Sequence, residues 1–362
     1  MPTAVSFGYN AKDFTIDGFR SNSMQPVQLL FNRANRLRSG WRLIIFTVLL
    51  LIITQIIEGG LVVSLRVFFG ARGVSFLENN WGYAAQAFEL IAAACACGWL
   101  CGALLEGLPA RALGWTRHRG WMRDLLAGSL TGAASLLLAT IIAAACGGFR
   151  FQLALAGMSA AVLKTLLVSG GIFIVSAAGE ESVFRGYPLQ TVLRSWPVWL
   201  ALLPSSVFFA GIHLNNPNVV PGFTFINTTL AGVWLAVAYT RTRSLWFPLG
   251  VHWSWNWMMG AVLGLPVSGI DRITPAPLLR ATDMGPDWIT GGAYGIEGGA
   301  ACTLALLLST IFIWRTRLVS ATEELRELTS HENPTHPQHL SIIQTEATND
   351  VGRQQHAERK TD

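Results

Sequence analysis

Three short polar strings interrupt the apolar stretches of this chain: Glu180-Glu181-Ser182-Val183-Phe184-Arg185, Phe209-Ala210-Gly211-Ile212-His213 and His252-Trp253-Ser254-Trp255-Asn256. A charged group held at the centre of a bilayer costs roughly 2.5–3.5 kcal/mol on insertion scales. The two glutamates, one arginine and two histidines sum to about 10 kcal/mol before they compensate one another. Packing does not account for that cost, which makes these side chains the candidate functional residues. Their spacing narrows the chemistry. His252 and Asn256 are four apart and share one helix face, as do Phe209 and His213. Glu181 and Arg185 are also four apart, so the guanidinium can neutralise that carboxylate. Glu180 lies about 100° around a helix from Glu181, which gives the two acids separate duties: one toward the histidines, the other tied to Arg185. A carboxylate beside an imidazole can deprotonate a water, and a second imidazole with a carboxamide N–H can hold the oxyanion of a tetrahedral intermediate. Together they suit amide hydrolysis. Glu180, His213 and His252 would equally serve as three ligands of a Zn²⁺ with an open position for water. The residues alone leave both forms open.

The elements that carry these strings are membrane helices. The chain has 362 residues, of which 51% are hydrophobic and only 13% charged, against about 25% charged in soluble domains. Apolar blocks at 43–57, 90–105, 125–146, 161–178, 198–212, 226–239, 245–264 and 299–314 each read as most of a spanning helix, which needs about 20 residues. The expected fold is therefore all-α, a polytopic membrane helix bundle of about eight spans. Arginines cluster in alternate connections, at Arg33–Arg42, Arg111–Arg123, Arg185–Arg194, Arg241–Arg243 and Arg315–Arg317. By the positive-inside rule both termini are expected to be cytoplasmic. Residues 1–39 form an N-terminal cytoplasmic segment with no leader-like apolar region. Residues 40–150 hold scaffold helices one to three, and 155–265 hold helices four to seven with all three polar strings. Residues 266–295 form an external loop, 296–317 the last helix, and 318–362 a polar, disordered cytoplasmic tail. All five cysteines fall in apolar blocks with no CxxC pair, and read as small buried side chains. The formal charge of +5 reflects those arginines and favours anionic lipid. No basic stretch is dense enough for nucleic acid.

The order Glu-Glu-x-x-x-Arg, Phe-x-x-x-His, His-x-x-x-Asn on successive membrane helices resembles the CPBP (Abi) intramembrane proteases, relatives of the type II CAAX prenyl endopeptidase. The resemblance covers about residues 160–265, including Gly186-Tyr187-Pro188-Leu189-Gln190. It implies that Glu180 and His213 activate water and that His252 and Asn256 form the oxyanion site. Glu181 and Arg185 would support them, with Phe209 packed beside His213. It implies a membrane-associated peptide or protein substrate, prenylated or leader-bearing, and a place in a bacterial inner membrane. Both metal-dependent and metal-free mechanisms are proposed for such enzymes. One divalent ion such as Zn is therefore a candidate cofactor, and Asn256, a poor ligand but a good donor, tilts the reading toward metal-free chemistry.

Other readings use the same residues differently. A transporter would use the cluster as an ion relay, and a non-catalytic scaffold would use it as a partner site. Structural histidines bonded between helices are the plain alternative for His213 and His252, and interhelical glue is that for Asn256. No His-Glu-x-x-His string, intramembrane aspartate pair or Gly-x-Ser-Gly string supports another protease class.

Overall fold

The computed structural model describes residues 29–32, 36–77, 79–153 and 159–330, and the chain separates into two compact units, Met1–Arg38 and Ser39–Asp362. In the first, Phe31 and Leu37 form an isolated antiparallel bridge, framed by Asn32 N–H to Arg36 O and Arg38 N–H to Leu30 O, each 2.8 Å. The second is a helix bundle: α1 Ser39–Leu77, α2 Asn80–Cys101, α3 Trp121–Ala145, α4 Ala160–Phe184, α5 Tyr187–Leu193, α6 Val198–His213, α7 Phe223–Thr242, α8 Trp246–Trp257, α9 Ala300–Arg315 and α10 Glu323–Ser330. The eight apolar blocks of the sequence fall on α1–α4 and α6–α9. Among the described residues, five segments are long and apolar enough to cross a membrane by length and composition: Ser39–Leu77, Asn80–Glu106, Trp121–Ala145, Ala160–Leu193 and Phe223–Thr242. Val198–His213 and Ala300–Arg315 are shorter apolar helices. The tail beyond residue 330, with its histidines, and most of the N-terminal segment lie outside the described residues.

Contacts sort the connections between the two ends of the bundle. Arg123 at the start of α3 donates to Leu318 O at 2.9 Å, and Arg241 at the end of α7 donates to the carbonyls of Thr316 and Val319 after α9. At the opposite end, β1 Phe149–Leu153, after α3, pairs antiparallel with β2 Leu279–Asp283 in the register Phe149↔Asp283 to Leu153↔Leu279. This small sheet fastens the 266–299 segment to the bundle. Asn80 adds a bond to Arg272 O at 3.2 Å. The stretch expected as an external loop is thus an ordered cover. Two cysteines depart from the sequence expectation: Cys95 is half-buried, and Cys146, just past the end of α3, is exposed.

The closest helix contact positions the third polar string. A Cβ placed on Gly128 or Gly132 of α3 would stand 2.1 Å from the carbonyl oxygen of Phe247 or Val251 on α8. One on Gly250 of α8 would stand 2.2 Å from Leu125 O. Gly128-Ser129-Leu130-Thr131-Gly132 is a small-xxx-small face of the kind that lets membrane helices touch backbone to backbone. Gly132→Val is expected to lower stability by about 1–3 kcal/mol through overpacking. An unchanged midpoint in an SDS unfolding titration would show that the contact tolerates a side chain.

Two apolar clusters meet at the site. One gathers α3, α4, α7, α8 and α9 around Leu136, Phe173, Trp234, Val251 and Trp255. The other gathers α1, α2 and the end of α4 around Phe46, Cys97, Phe184 and Tyr187, with Phe209 of α6.

Candidate active site

The first polar string is the last turn and a half of α4, which runs unbroken from Ala160 to Phe184. The chain then turns at Gly186, where a Cβ would meet Ser182 O at 2.3 Å, and restarts as α5 with Pro188 in its first turn. The second string ends α6. The third lies in α8, and a π turn, Met258–Val262, follows directly after it. Such turns recur where side chains must be re-aimed at functional sites.

Glu181 is fully buried. Its Oε1 accepts from Arg185 Nη1 at 3.2 Å and from His252 Nδ1 at 2.9 Å. Arg185, 1% exposed, also donates to Gly232 O on α7 at 3.1 Å and lies over the Phe209 ring at 4.7 Å. A carboxylate only accepts, so His252 carries its proton on Nδ1 and presents Nε2 to the other side. There, Glu180 Oε2 lies 3.7 Å away. Glu180 is 26% exposed and makes no hydrogen bond among the described residues, so it can take a water. The two acids do divide their duties, with one difference from expectation: the arginine-bound Glu181, and not only Glu180, reaches His252.

His213 is oriented by its own helix. Its Nδ1 donates to Phe209 O at 2.7 Å, which leaves Nε2 as the acceptor of the neutral ring. The Phe209 ring packs on it at 4.4 Å and meets His252 edge-on at 6.2 Å. Asn256 makes no hydrogen bond to another described residue, so its carboxamide is uncommitted. Glu180, His213, His252, Asn256 and Phe209 all line one cavity of about 260 Å³. Glu181 and Arg185 stand behind it.

Among the described residues, no three His, Cys, Asp or Glu side chains are grouped to hold a metal ion. Glu180, His213 and His252 share one cavity without forming such a group.

Several lining residues escaped the sequence reading. Glu297 comes from the cover, where Oε1 accepts from Trp255 Nε1 at 3.0 Å and Oε2 from Ser268 N and Oγ at 2.8 and 2.7 Å. Asn227 of α7 donates to the Glu297 and Gly299 carbonyls at 2.8 and 2.9 Å and accepts from Thr303 at 2.6 Å. Tyr294 stays a neutral phenol: burial, and then the Glu297 charge, push its pKa upward. The available signal was one acid in a glycine-rich run, Gly291-Gly292-Ala293-Tyr294-Gly295-Ile296-Glu297-Gly298-Gly299, directly before an apolar block.

Comparison with protein-family models matches residues 161–258 to the family described as Type II CAAX prenyl endopeptidase Rce1-like. Comparisons with curated proteins and with solved structures gave no match. The matched stretch begins at the start of α4 and ends just past Asn256, so it contains all three polar strings and the Arg185 support. The match spans 98 of the 362 residues, and over that stretch the chain is similar to the type II CAAX prenyl endopeptidase Rce1-like family.

Proposed function

We propose that this chain is an intramembrane endopeptidase that hydrolyses a peptide bond in a membrane-associated substrate, prenylated or leader-bearing, in the inner membrane of a bacterium with both termini cytoplasmic. The observation that carries the reading is the convergence of Glu180, His213, His252 and Asn256, from three helices of the family-matched stretch, on one cavity. Glu180 and the bare Nε2 of His213 take a proton from water as its oxygen attacks the scissile carbonyl. The oxyanion is held by Asn256 Nδ2–H and by Nε2–H of His252. With Nδ1 already donating to Glu181, His252 has that second N–H only as the imidazolium. The proton held by Glu180 then passes to the leaving amine as the C–N bond breaks. Glu181 and Arg185 fix the aim of His252.

The same assignment gives two expected results. Asn256→Ala should lower kcat by about 10²–10³ with little change in KM, as for other lost oxyanion donors. Incubation with a strong zinc chelator should leave the rate unchanged, and a loss restored by added Zn²⁺ would overturn the metal-free form. The function as a whole is tested by comparing membrane-protein termini from cells with and without the chain, and by incubating the purified protein with the peptides so found. Ion flux without any cleavage would favour the transporter.

A further inference from the structure

The cavity is lopsided in charge. Two carboxylates line it, Glu180 and Glu297, and no lysine or arginine does so among the described residues. The two arginines nearby are engaged elsewhere: Arg185 with Glu181 and Gly232 O, and Arg272 over the Tyr83 ring at 4.5 Å. Glu297 makes no ion pair among the described residues. Its three donors, Trp255 Nε1, Ser268 N and Ser268 Oγ, are all neutral and leave its charge in place. A second feature points to the same ligand. Trp234 and Trp255 both line the cavity, with ring centroids 5.4 Å apart, and both indole N–H groups are already bonded, to Ser309 Oγ at 2.8 Å and to Glu297. What they offer the cavity is ring surface. An unneutralised carboxylate beside aromatic surface attracts an ammonium or guanidinium and repels a carboxylate.

We propose that Glu297 is a specificity-determining residue that accepts a substrate lysine or arginine side chain beside the scissile bond. This rests on the endopeptidase reading for the words "scissile bond"; the recognition of a cation stands apart from it. The assignment also disfavours peptides whose free C-terminal carboxylate would have to enter the cavity.

The test uses the purified full-length chain in nanodiscs and a defined library of peptides. Cleaved products should show lysine or arginine within two residues of the cut enriched by about tenfold, the scale of one partly screened charge pair. Glu297→Gln should flatten that preference, and Glu297→Lys should turn it toward aspartate and glutamate. Absence of the preference in the wild type, or its survival in Glu297→Gln, overturns the proposal. A binding measurement covers variants that fold poorly and a chain that cleaves nothing. The acetylated tripeptide amides Gly-Lys-Gly, Gly-norleucine-Gly and Gly-Glu-Gly are titrated into the wild type by calorimetry. Tightest binding of the lysine peptide supports the cation site even if the protease reading has failed. Equal binding of the lysine and norleucine peptides sinks the cation site even if cleavage is observed.

Discussion

Glu180→Gln should lower peptide cleavage by about 10²- to 10⁴-fold, the range for loss of a general base, while the SDS unfolding midpoint stays where it is. The separation of the two effects follows from the surroundings. Glu180 is part-exposed and faces the cavity, with His252 Nε2 3.7 Å away. A carboxamide of the same shape leaves no buried partner without its bond. Glu181 one residue on is the internal control: it is fully buried, and its Oε1 serves both Arg185 and His252. Glu181→Gln should reduce stability and cleavage together. If Glu180→Gln kept the wild-type rate, water activation would have to be reassigned within the cavity, with Glu297 the next carboxylate to try.

The largest stability loss is expected from Glu106→Ala, about 3–5 kcal/mol, as for other buried ion pairs broken by removing one partner. Glu106 is the last residue of a π turn, Gly102–Glu106, that ends α2. It forms ion pairs with Arg42 of α1 at 3.1 Å and with Arg194, and accepts from Tyr187 of α5 at 3.1 Å and from Thr191. Removing the carboxylate leaves two buried guanidinium groups facing each other's charge. The readout is the SDS unfolding midpoint together with protease sensitivity in nanodiscs; a midpoint near the wild-type value would mean that water or lipid phosphate replaces the acid. Because α5 follows Arg185 directly, partial loss of activity should accompany the instability and should be recovered by Glu106→Asp more than by Glu106→Gln.

The helical elements were legible because lipid demands long apolar runs, and each of the eight runs fell on a helix. The strings at 180–185, 209–213 and 252–256 stood out because polar groups are rare in such runs. Their partners did not. Glu106 sits at the margin of an apolar block, where a carboxylate reads as an interfacial charge, and nothing local reveals that arginines 64 residues before it and 88 after it close on it. Arg42, Arg185 and Arg194, counted as loop charges that set orientation, are buried in ion pairs instead. The alternation survives without them, through Arg111–Arg123, Arg241–Arg243 and Arg315–Arg317, and the contacts of Arg123 and Arg241 with residues 316–319 put three of those connections at one end. The β1–β2 pairing joins segments more than 100 residues apart, and Glu297 is held by residues 29 to 70 positions before it; periodicity carries no trace of either. The Gly128–Gly132 pair was visible as a string, but its meaning depended on knowing which helix faced it.

That glycine pair also bears on how a bulky polypeptide gets in. With the oxygens of Phe247 and Val251 standing where α3 side chains would otherwise begin, those two rods can neither slide nor part without losing their contact altogether. The hinge side is welded, and the doorway must be elsewhere. An apolar groove runs between α1 and α6, lined by Phe46 and Leu50 on one side and by Pro204 and Phe208 on the other, and α1 itself leaves Ile56, Val67 and Phe68 67–77% uncovered and kinks at Gly70. A cross-link tying α1 to α6 should shut the enzyme while one between α3 and α8 should leave it running.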